Sequence, residues 1–562
     1  MIFRYAYLGH KRLQLKRFLH GAQNARQTQH AALLAKIYRN ASSAYGRDHG
    51  FSEIRNVGDF RARQPIMSFE DVEPYVERVM RGDVTAMFSP ETRVRMFAMS
   101  SGTTGRPKHL PLTDELFREY RVGWQIWGAG VYGDHIDLMW KKTLQLSSDW
   151  KQSRAPDGTP CGQISGLAAE SRPILTRPIF LLPSCVNQVH NSEAKHYLTL
   201  RLALVKRLLG MMITANPSTL IELAKRADKH KEKLIRDVHD GTCSTDFPIP
   251  DPVRQRLARR LRQGHPRRAR ELEKIVQDEG ALLPKRVWPH LSVLAVWTGG
   301  SVGVYLPQVR QLYGDVAIRD HGLSASEGRI TIPLTDGSSA GILDYRNHYF
   351  EFIPVDQHGT TNPTIIESHE LVEGCDYYIL LTTSGGLYRY DIQDVVRCVG
   401  FEGEAPLVEF LNKGKHFSNI TGEKLSEYQA IDAVRRAFTE LQLPIATFTL
   451  VPSMDQFQHK PRYLLLVEPE AYAGRAAELA RRVQINLATS NLEYGEKSSS
   501  GRLLPVVVHE VSPGTWDALR ADRTRARGNF EEYKHPCLVG RLNFLDELAE
   551  HFGQPRPAVA RA

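Results

Sequence analysis

Ser100-Ser101-Gly102-Thr103-Thr104-Gly105-Arg106-Pro107-Lys108 is the stretch on which the reading of this 562-residue chain turns. Its hydroxyl residues, glycines and lysine describe a loop built to hold polyphosphate. Glycines let backbone N–H groups approach phosphate oxygens, Ser and Thr hydroxyls add neutral donors, and a lysine supplies a mobile charge. The apolar run Val94 to Met99 before it predicts a buried strand, and Thr113-Asp114-Glu115 after it predicts a capped helix start, so the loop is expected to join strand to helix. The string is not a P-loop, because its glycines are too close together and Pro107 precedes Lys108. It points to ATP chemistry.

The nine residues resemble the adenylate-forming signature of acyl-activating ligases, and the rest of the chain narrows the resemblance to the GH3 acyl acid amido synthetases. Gln29, Leu33, Ile37, Asn40, Tyr45-Gly46, His49-Gly50-Phe51 and Pro65-Ile66 look like that family's N-terminal segment. Asn216-Pro217-Ser218-Thr219-Leu220, Trp288-Pro289, Thr298-Gly299-Gly300 and Tyr305-Leu306-Pro307 follow in the family's order. The resemblance covers nearly the whole chain. It implies an α/β fold: a large N-terminal adenylate-forming domain of mixed sheets and helices, residues 1–411, and a smaller mobile C-terminal α+β domain, residues 412–562.

Composition agrees with more than one core, since a chain this long exceeds an ordinary single domain. Six cysteines (Cys161, Cys185, Cys243, Cys375, Cys398, Cys537) lack zinc-site spacing and are too sparse for a disulfide scaffold, so they read as reduced thiols. No apolar run approaches the length of a membrane span. A soluble, cytoplasmic protein with no membrane partner is expected. The net charge of +10 raises nucleic-acid binding, but much of it lies between Arg254 and Arg270, where Val253, Leu257 and Leu261 recur at helical spacing. A solvated amphipathic helix explains that run without nucleic acid.

Helices are expected over Glu115 to Gly128 and Ala194 to Met212. A strand Ser292 to Trp297, a helical stretch to Tyr313 and a strand Val316 to Ile318 suit a crossover unit. Tyr349 to Pro354, Tyr378 to Thr383, Leu387 to Tyr390 and Val395 to Phe401 read as strands, with Ser384-Gly385-Gly386 a hairpin signal. A hinge is expected around Asn412-Lys413-Gly414. Beyond it come helix Ser426 to Leu441, strands Thr447 to Val451 and Tyr463 to Val467, helix Arg475 to Leu487, strand Val506 to Val511 and a short helix near Trp516.

Activating a carboxylic acid brings two negative groups together, so the site needs cations and oriented donors. The resemblance implies that Ser100, Ser101, Gly102, Thr103 and Thr104 contact phosphate, with Lys108 at the loop's edge. It makes His321 to Gly328 the second nucleotide motif: Ser324 and Ser326 as donors, Glu327 as the catalytic carboxylate holding Mg²⁺, and Leu323 where the family often has an aromatic residue against adenine. Taken alone, Ser-x-Ser-Glu is equally a helix cap. Tyr388-Arg389-Tyr390-Asp391 matches the family's Tyr-Arg-x-Asp, implying that Asp391 accepts hydrogen bonds from ribose; Arg397, six residues later and expected on the next strand, is a lesser candidate for a structural or nucleotide contact. The competing reading makes Asp391 a turn residue and Arg389 its surface ion-pair partner.

Asn419 to Glu427 is similar to the Gly-Glu-Lys segment after the family's hinge, although Gly414-Lys415-His416-Phe417 departs from the Gly-Arg found in related ligases. Lys415 lacks the arginine fork. Phe530 to Pro536 looks like the family's C-terminal lysine before proline, which makes Lys534 the adenylation lysine. His109 and His321 flank the first two motifs, as bases for the amine or as structural residues. The acyl pocket is expected near Val122 to Val131, Val205 to Met212 and Thr298 to Leu323, with Trp124, Trp127, Met211 and Met212 lining it or packing a core.

The resulting expectation is a two-step ligase that uses ATP and Mg²⁺ to make an acyl adenylate from a small carboxylic acid, then passes the acyl group to an amino acid. An acyl-CoA ligase and a non-catalytic nucleotide-binding regulator remain the alternatives.

Overall fold

The computed structural model describes residues 2–100, 108–413, 417–418, 420–421, 423, 425–455, 460–499, 502–527 and 533–552. They form two compact units. The first holds residues 1–298, 308–392 and 396–410; the second holds 299–307, 393–395 and 411–562.

Among the described residues the first unit carries three sheets. A parallel sheet runs in the order Lys142–Gln145, Leu209–Ile213, Val293–Val296, Ala317–Asp320. Its last pair is joined through helix Leu306–Tyr313, the crossover expected from sequence. A seven-stranded sheet is built around Tyr349–Pro354, Asp376–Thr382, Tyr390–Glu402 and Ala405–Lys413. In the third sheet Val94–Ser100 pairs antiparallel with Lys108–Thr113, placing Ser100 opposite Lys108. Helix Asp114–Asp134, capped by the Thr113 hydroxyl, follows directly. A strand therefore separates the signature from the helix it was expected to enter, because Leu110 and Leu112 are buried in the sheet.

Four further expectations need correction. The predicted helix 194–212 is helix Ser192–Leu204 followed by strand Leu209–Ile213. A continuous apolar run carries no period that separates a buried helix from a buried strand, and the break falls at the exposed Lys206 and Arg207. Met211 and Met212 are thus core residues of an inner strand. The arginine-rich run is two helices, Asp251–Leu261 and Pro266–Glu279, because Pro266 opens the second. Leu387 to Arg389 is not strand; the next strand begins at Tyr390 and continues through Arg397. The helix at Trp516 is a full Thr515–Arg527.

Arginines of this region bind carbonyls. Arg254 reaches Cys243, Ser244 and Phe247 at 3.0, 2.8 and 3.0 Å; Arg268 reaches Leu204 and Val287 at 2.8 and 2.7 Å; Arg201 reaches Thr242 and Leu261 at 2.7 and 3.1 Å.

In the second unit, strands Phe448–Met454, Pro461–Val467 and Leu504–Glu510 form a sheet whose core includes Val451, Leu464, Leu466, Trp516, Phe544 and Leu548. Helices Glu427–Glu440 and Ala476–Ser490 belong to the same α+β unit. Among the described residues no helix is long and apolar enough to cross a membrane.

Candidate active site

Of the first group, Ser101, Gly102, Thr103 and Thr104 lie outside the described residues. The flanks are fixed. Ser100 ends its strand, and Lys108 opposite it places Nζ 4.9 Å from the Phe69 ring centroid and 3.5 Å from the Tyr390 hydroxyl. The first signature thereby touches the third.

The second group grows from the C-terminal ends of the parallel strands, where ligands of open α/β sheets bind. Asp320, 4 % exposed, accepts hydrogen bonds from Thr298 N and Oγ1 and from Gly322 N, each at 2.6 Å, tying two strand ends together. His321 stacks on Trp127 at 5.4 Å, and Trp127 Nε1 donates to the Asp320 carbonyl. Burial, with Arg329 adding to it, pushes His321 down to about 4. A neutral, stacked imidazole of this kind is a packing element and a poor base near neutral pH.

Beyond it, Leu323 N donates to Thr331 Oγ1, Ser324 bridges Arg329, and Ala325 and Gly328 exchange backbone bonds. Residues 323–331 are a tight hairpin with Ser326 and Glu327 at its tip. Leu323 packs against the main apolar core. The Tyr120 hydroxyl donates to the Ala325 carbonyl; burial pushes this phenol up, and the Glu327 carboxylate adds to the effect. A Cβ on Gly328 would lie 3.2 Å from both His348 Nε2 and Thr383 Cγ2, so the hairpin rests on the turn that leads into the third group.

That third group is braced by the end of helix Ala25–Asn40 and by helix Ala44–Asp48. Asn40 donates to the Tyr388 hydroxyl at 2.8 Å, and Tyr45 stacks on Tyr388 at 5.3 Å. Arg389, at φ 47°, is 5 % exposed; it pairs with Glu351 at 2.8 Å and donates to the Gln64 carbonyl at 2.8 Å. This corrects the competing reading, since Arg389 is a buried partner of Glu351. The Asp391 carboxylate lies 2.8 Å from His358 Nε2, whose ring stacks on Tyr378 at 3.6 Å. Arg397 is on the same strand as Asp391, not the next, and grips Asp376 through two bonds of 2.7 and 2.9 Å.

In the second unit, Glu423 is fully buried and accepts bonds from Ile420 N, Thr421 N, Thr421 Oγ1 and the Tyr463 hydroxyl at 2.9, 2.7, 2.8 and 2.5 Å. Burial opposes its ionisation, but these bonds outweigh it and hold the carboxyl low. Glu423 therefore shapes its turn. Gly414, Lys415, His416, Asn419, Gly422 and Lys424 lie outside the described residues.

Lys534 is exposed between two anchored neighbours. Tyr533 and His535 are 6 % and 2 % exposed, and the Tyr533 hydroxyl lies 3.1 Å from His535 Nδ1. His535 Nε2 lies 2.9 Å from the Phe448 carbonyl, and the ring meets Trp516 edge-on at 4.9 Å. Burial pushes His535 down to about 3, so it is neutral at working pH.

The models of the GH3 family N-terminal, central and C-terminal domains match residues 14–318, 341–413 and 428–543. The chain belongs to the GH3 family. It is 24 % identical over 586 residues to the indole-3-acetic acid-amido synthetase GH3.17 of Arabidopsis thaliana, covering 93 % of both chains. To the 4-substituted benzoates-glutamate ligase GH3.12 of the same plant it is 25 % identical, covering 85 % of this chain and 87 % of that one. Its fold matches the solved GH3.15 acyl acid amido synthetase with a TM-score of 0.82 at 20 % identity, over 96 % and 95 % of the two chains. Within the GH3 frame, the first signature falls in the N-terminal domain, Asp391 and Arg397 in the central domain, and Lys534 in the C-terminal domain. The Glu327 hairpin lies between two matched domains.

Sequence reasoning passed over three groups. Asp394, 3 % exposed, follows Gln393 at φ 58° and is a second carboxylate on the Asp391 strand; the Asp-x-x-Asp spacing was its only signal. His358 carried no signal at all. The buried Tyr120 was hidden in the periodicity of its helix. Among the described residues no cluster of three or more His, Cys, Asp or Glu stands ready for a metal. A hard-oxygen donor such as Glu327 suits a Mg²⁺ that arrives with phosphates and takes most of its ligands from them and from water.

Proposed function

We propose that this chain is an ATP-dependent acyl acid amido synthetase. It joins a carboxylic acid to MgATP as an acyl adenylate, releasing pyrophosphate, and an amino acid's α-amino group then displaces AMP to form the amide. The observation that carries the reading is the placement of the nucleotide signatures in one unit of a GH3 chain: Lys108 of the first meets Tyr390 of the third, and Gly328 of the second lies against Thr383 in the turn that leads into the third. The names of the relatives, amido synthetases of indole-3-acetic acid and a ligase of benzoates with glutamate, support an organic acid and an amino acid as the pair joined.

In this reading Ser100, Ser101, Gly102, Thr103, Thr104, Lys108, Ser324 and Ser326 donate to the phosphates. Glu327 takes the Mg²⁺ that accompanies them, and Leu323 offers apolar surface to adenine. Asp391, oriented by His358, accepts the ribose hydroxyls; Asp394 is the second carboxylate to test for that role. Arg397, held by Asp376, supports the strand. Residues 412–562 act as the mobile cap, and Lys534 brings its charge to the α-phosphate as the carboxylate oxygen attacks and pyrophosphate leaves. Its anchored neighbours support this, because they fix the backbone from which a flexible lysine reaches. The free cysteines support a reducing compartment, the cytoplasm.

The test is mass-spectrometric detection of ATP-dependent products from aromatic and aliphatic acids, offered with mixed amino acids or with coenzyme A. Amides establish the synthetase. Thioesters alone would make it an acyl-CoA ligase, and no product with no pyrophosphate release from any acid would leave it a nucleotide-binding protein.

A further inference from the structure

Helix Asp114–Asp134 presents Tyr120, Gly123 and Trp127 along one stripe, the i, i+3, i+7 spacing of a single helix face. Each member of the stripe meets the segment that carries the second signature. Tyr120 donates to the Ala325 carbonyl, and Trp127 donates to the Asp320 carbonyl at 2.7 Å. Between them the helix has no side chain, and the space is filled by Arg329. A Cβ at position 123 would lie 2.4 Å from Arg329 Cδ and 3.0 Å from its Nε, closer than packed atoms approach.

Arg329 is 1 % exposed. Its Nη2 donates to the His321 carbonyl at 2.6 Å, at the root of the hairpin, while its backbone bridges Ser324 across the hairpin. Asp344, fully buried, has Oδ2 3.4 Å from the same point above Gly123 and holds Asn347 by two bonds of 3.0 and 2.9 Å. Burying a guanidinium is expensive, and an apolar residue of similar size would serve a purely structural core as well. A cation whose Nη2 reaches a backbone carbonyl two residues before the first hairpin position instead fixes where the hairpin points.

We propose that Arg329, seated in the gap left by Gly123, is the positioning residue of the nucleotide hairpin, setting where Ser326 and Glu327 meet MgATP. The proposal rests on the adenylation reading above and adds to it residues that touch no substrate. Displacing Arg329 moves the hairpin tip while leaving the rest of the acid and nucleotide sites in place. A misplacement of the order of 1 Å can lower a rate about 100-fold.

The test uses the full chain carrying Gly123→Ala, which pushes Arg329 aside without changing charge, and Arg329→Lys, which keeps the charge but loses the fork. Three quantities are read: melting temperature, MgATP affinity by calorimetry, and the Mg²⁺ dependence of acid-dependent pyrophosphate release. Both variants should fold and need about tenfold more Mg²⁺ or MgATP for half-saturation, as expected of a displaced ligand-bearing tip, and Arg329→Lys, outside the segments assigned to the acid, should keep the wild-type KM for the acid. Wild-type Mg²⁺ and MgATP dependence in either folded variant overturns the proposal. So does a loss in Arg329→Lys that falls equally on acid, nucleotide and thermal stability. If Gly123→Ala fails to fold, the Arg329→Lys readings decide alone. A wild-type protein that releases no pyrophosphate with any acid defeats the adenylation reading instead, and the MgATP affinities of the variants still test the hairpin.

Discussion

Lys534 and the carboxylates of the Asp391 strand show how much depends on single side chains. Replacing Lys534 by Ala should lower acid-dependent pyrophosphate release by about 100-fold or more, as loss of one transition-state charge contact does, with MgATP affinity retained. Normal adenylation in that variant would remove the lysine from the mechanism. Asp391 and Asp394 are separated by comparing Asp391→Asn with Asp394→Asn: the ribose carboxylate is the one whose change weakens ATP more than a 2′,3′-dideoxy analogue, while equal losses for both nucleotides would exclude that residue. Motif residues were legible because phosphate and ribose demand particular groups. Arg389 and Glu423 were not, since their roles depend on Glu351 and Tyr463, dozens of positions away in sequence.

Elements were legible where a period or a cap marked them. Tyr349–Pro354 was placed to the residue, and the helix expected over Ser426 to Leu441 is Glu427–Glu440 with Ser426 as its cap. The failures share a cause. Leu209–Ile213 is buried on both faces, so no alternation distinguished it from the helix before it. The arginine-rich run was read as a solvated face because sequence cannot tell a side chain that meets water from one that meets a carbonyl. Arg254→Ala, which removes hydrogen bonds to three or more carbonyls, should destabilise the first unit by about 2 kcal/mol, whereas Arg259→Ala on the exposed face should stay within about 0.5 kcal/mol. Urea midpoints compare them; equal effects would mean that the carbonyl bonds contribute nothing net.

At the scale of the whole molecule, three histidines kept neutral by desolvation contribute to the response to acid. Burial holds His535 at about 3, His321 at about 4 and His348 well below its ordinary value. Each stays neutral in the folded chain while the unfolded chain takes up a proton below about pH 6.5. Stability from each is complete above that pH and falls as the pH drops, by about 1.4 kcal/mol per pH unit for each histidine. Asp344, raised to about 7 by burial and only partly relieved by Asn347 and Arg329, acts in the opposite sense between about pH 4 and 7. Urea unfolding at pH 7.5 and 5.5 should show a net loss on acidification, smaller in His535→Asn; an unchanged slope in that variant would mean His535 is protonated when folded.

The carbonyl-binding arginines also say how this protein can be re-engineered for handling. Its sequence isoelectric point is about 9.2, which invites charge removal to alter ion-exchange behaviour or reduce sticking to acidic polymers. Arg254, Arg268 and Arg201 contribute to that figure, but they also hold backbone carbonyls, and Arg268 pairs with Glu271 at 2.9 Å. The exposed Arg256, Arg259, Arg262 and Arg267 are the positions at which glutamine could lower the isoelectric point without taking a donor from a carbonyl.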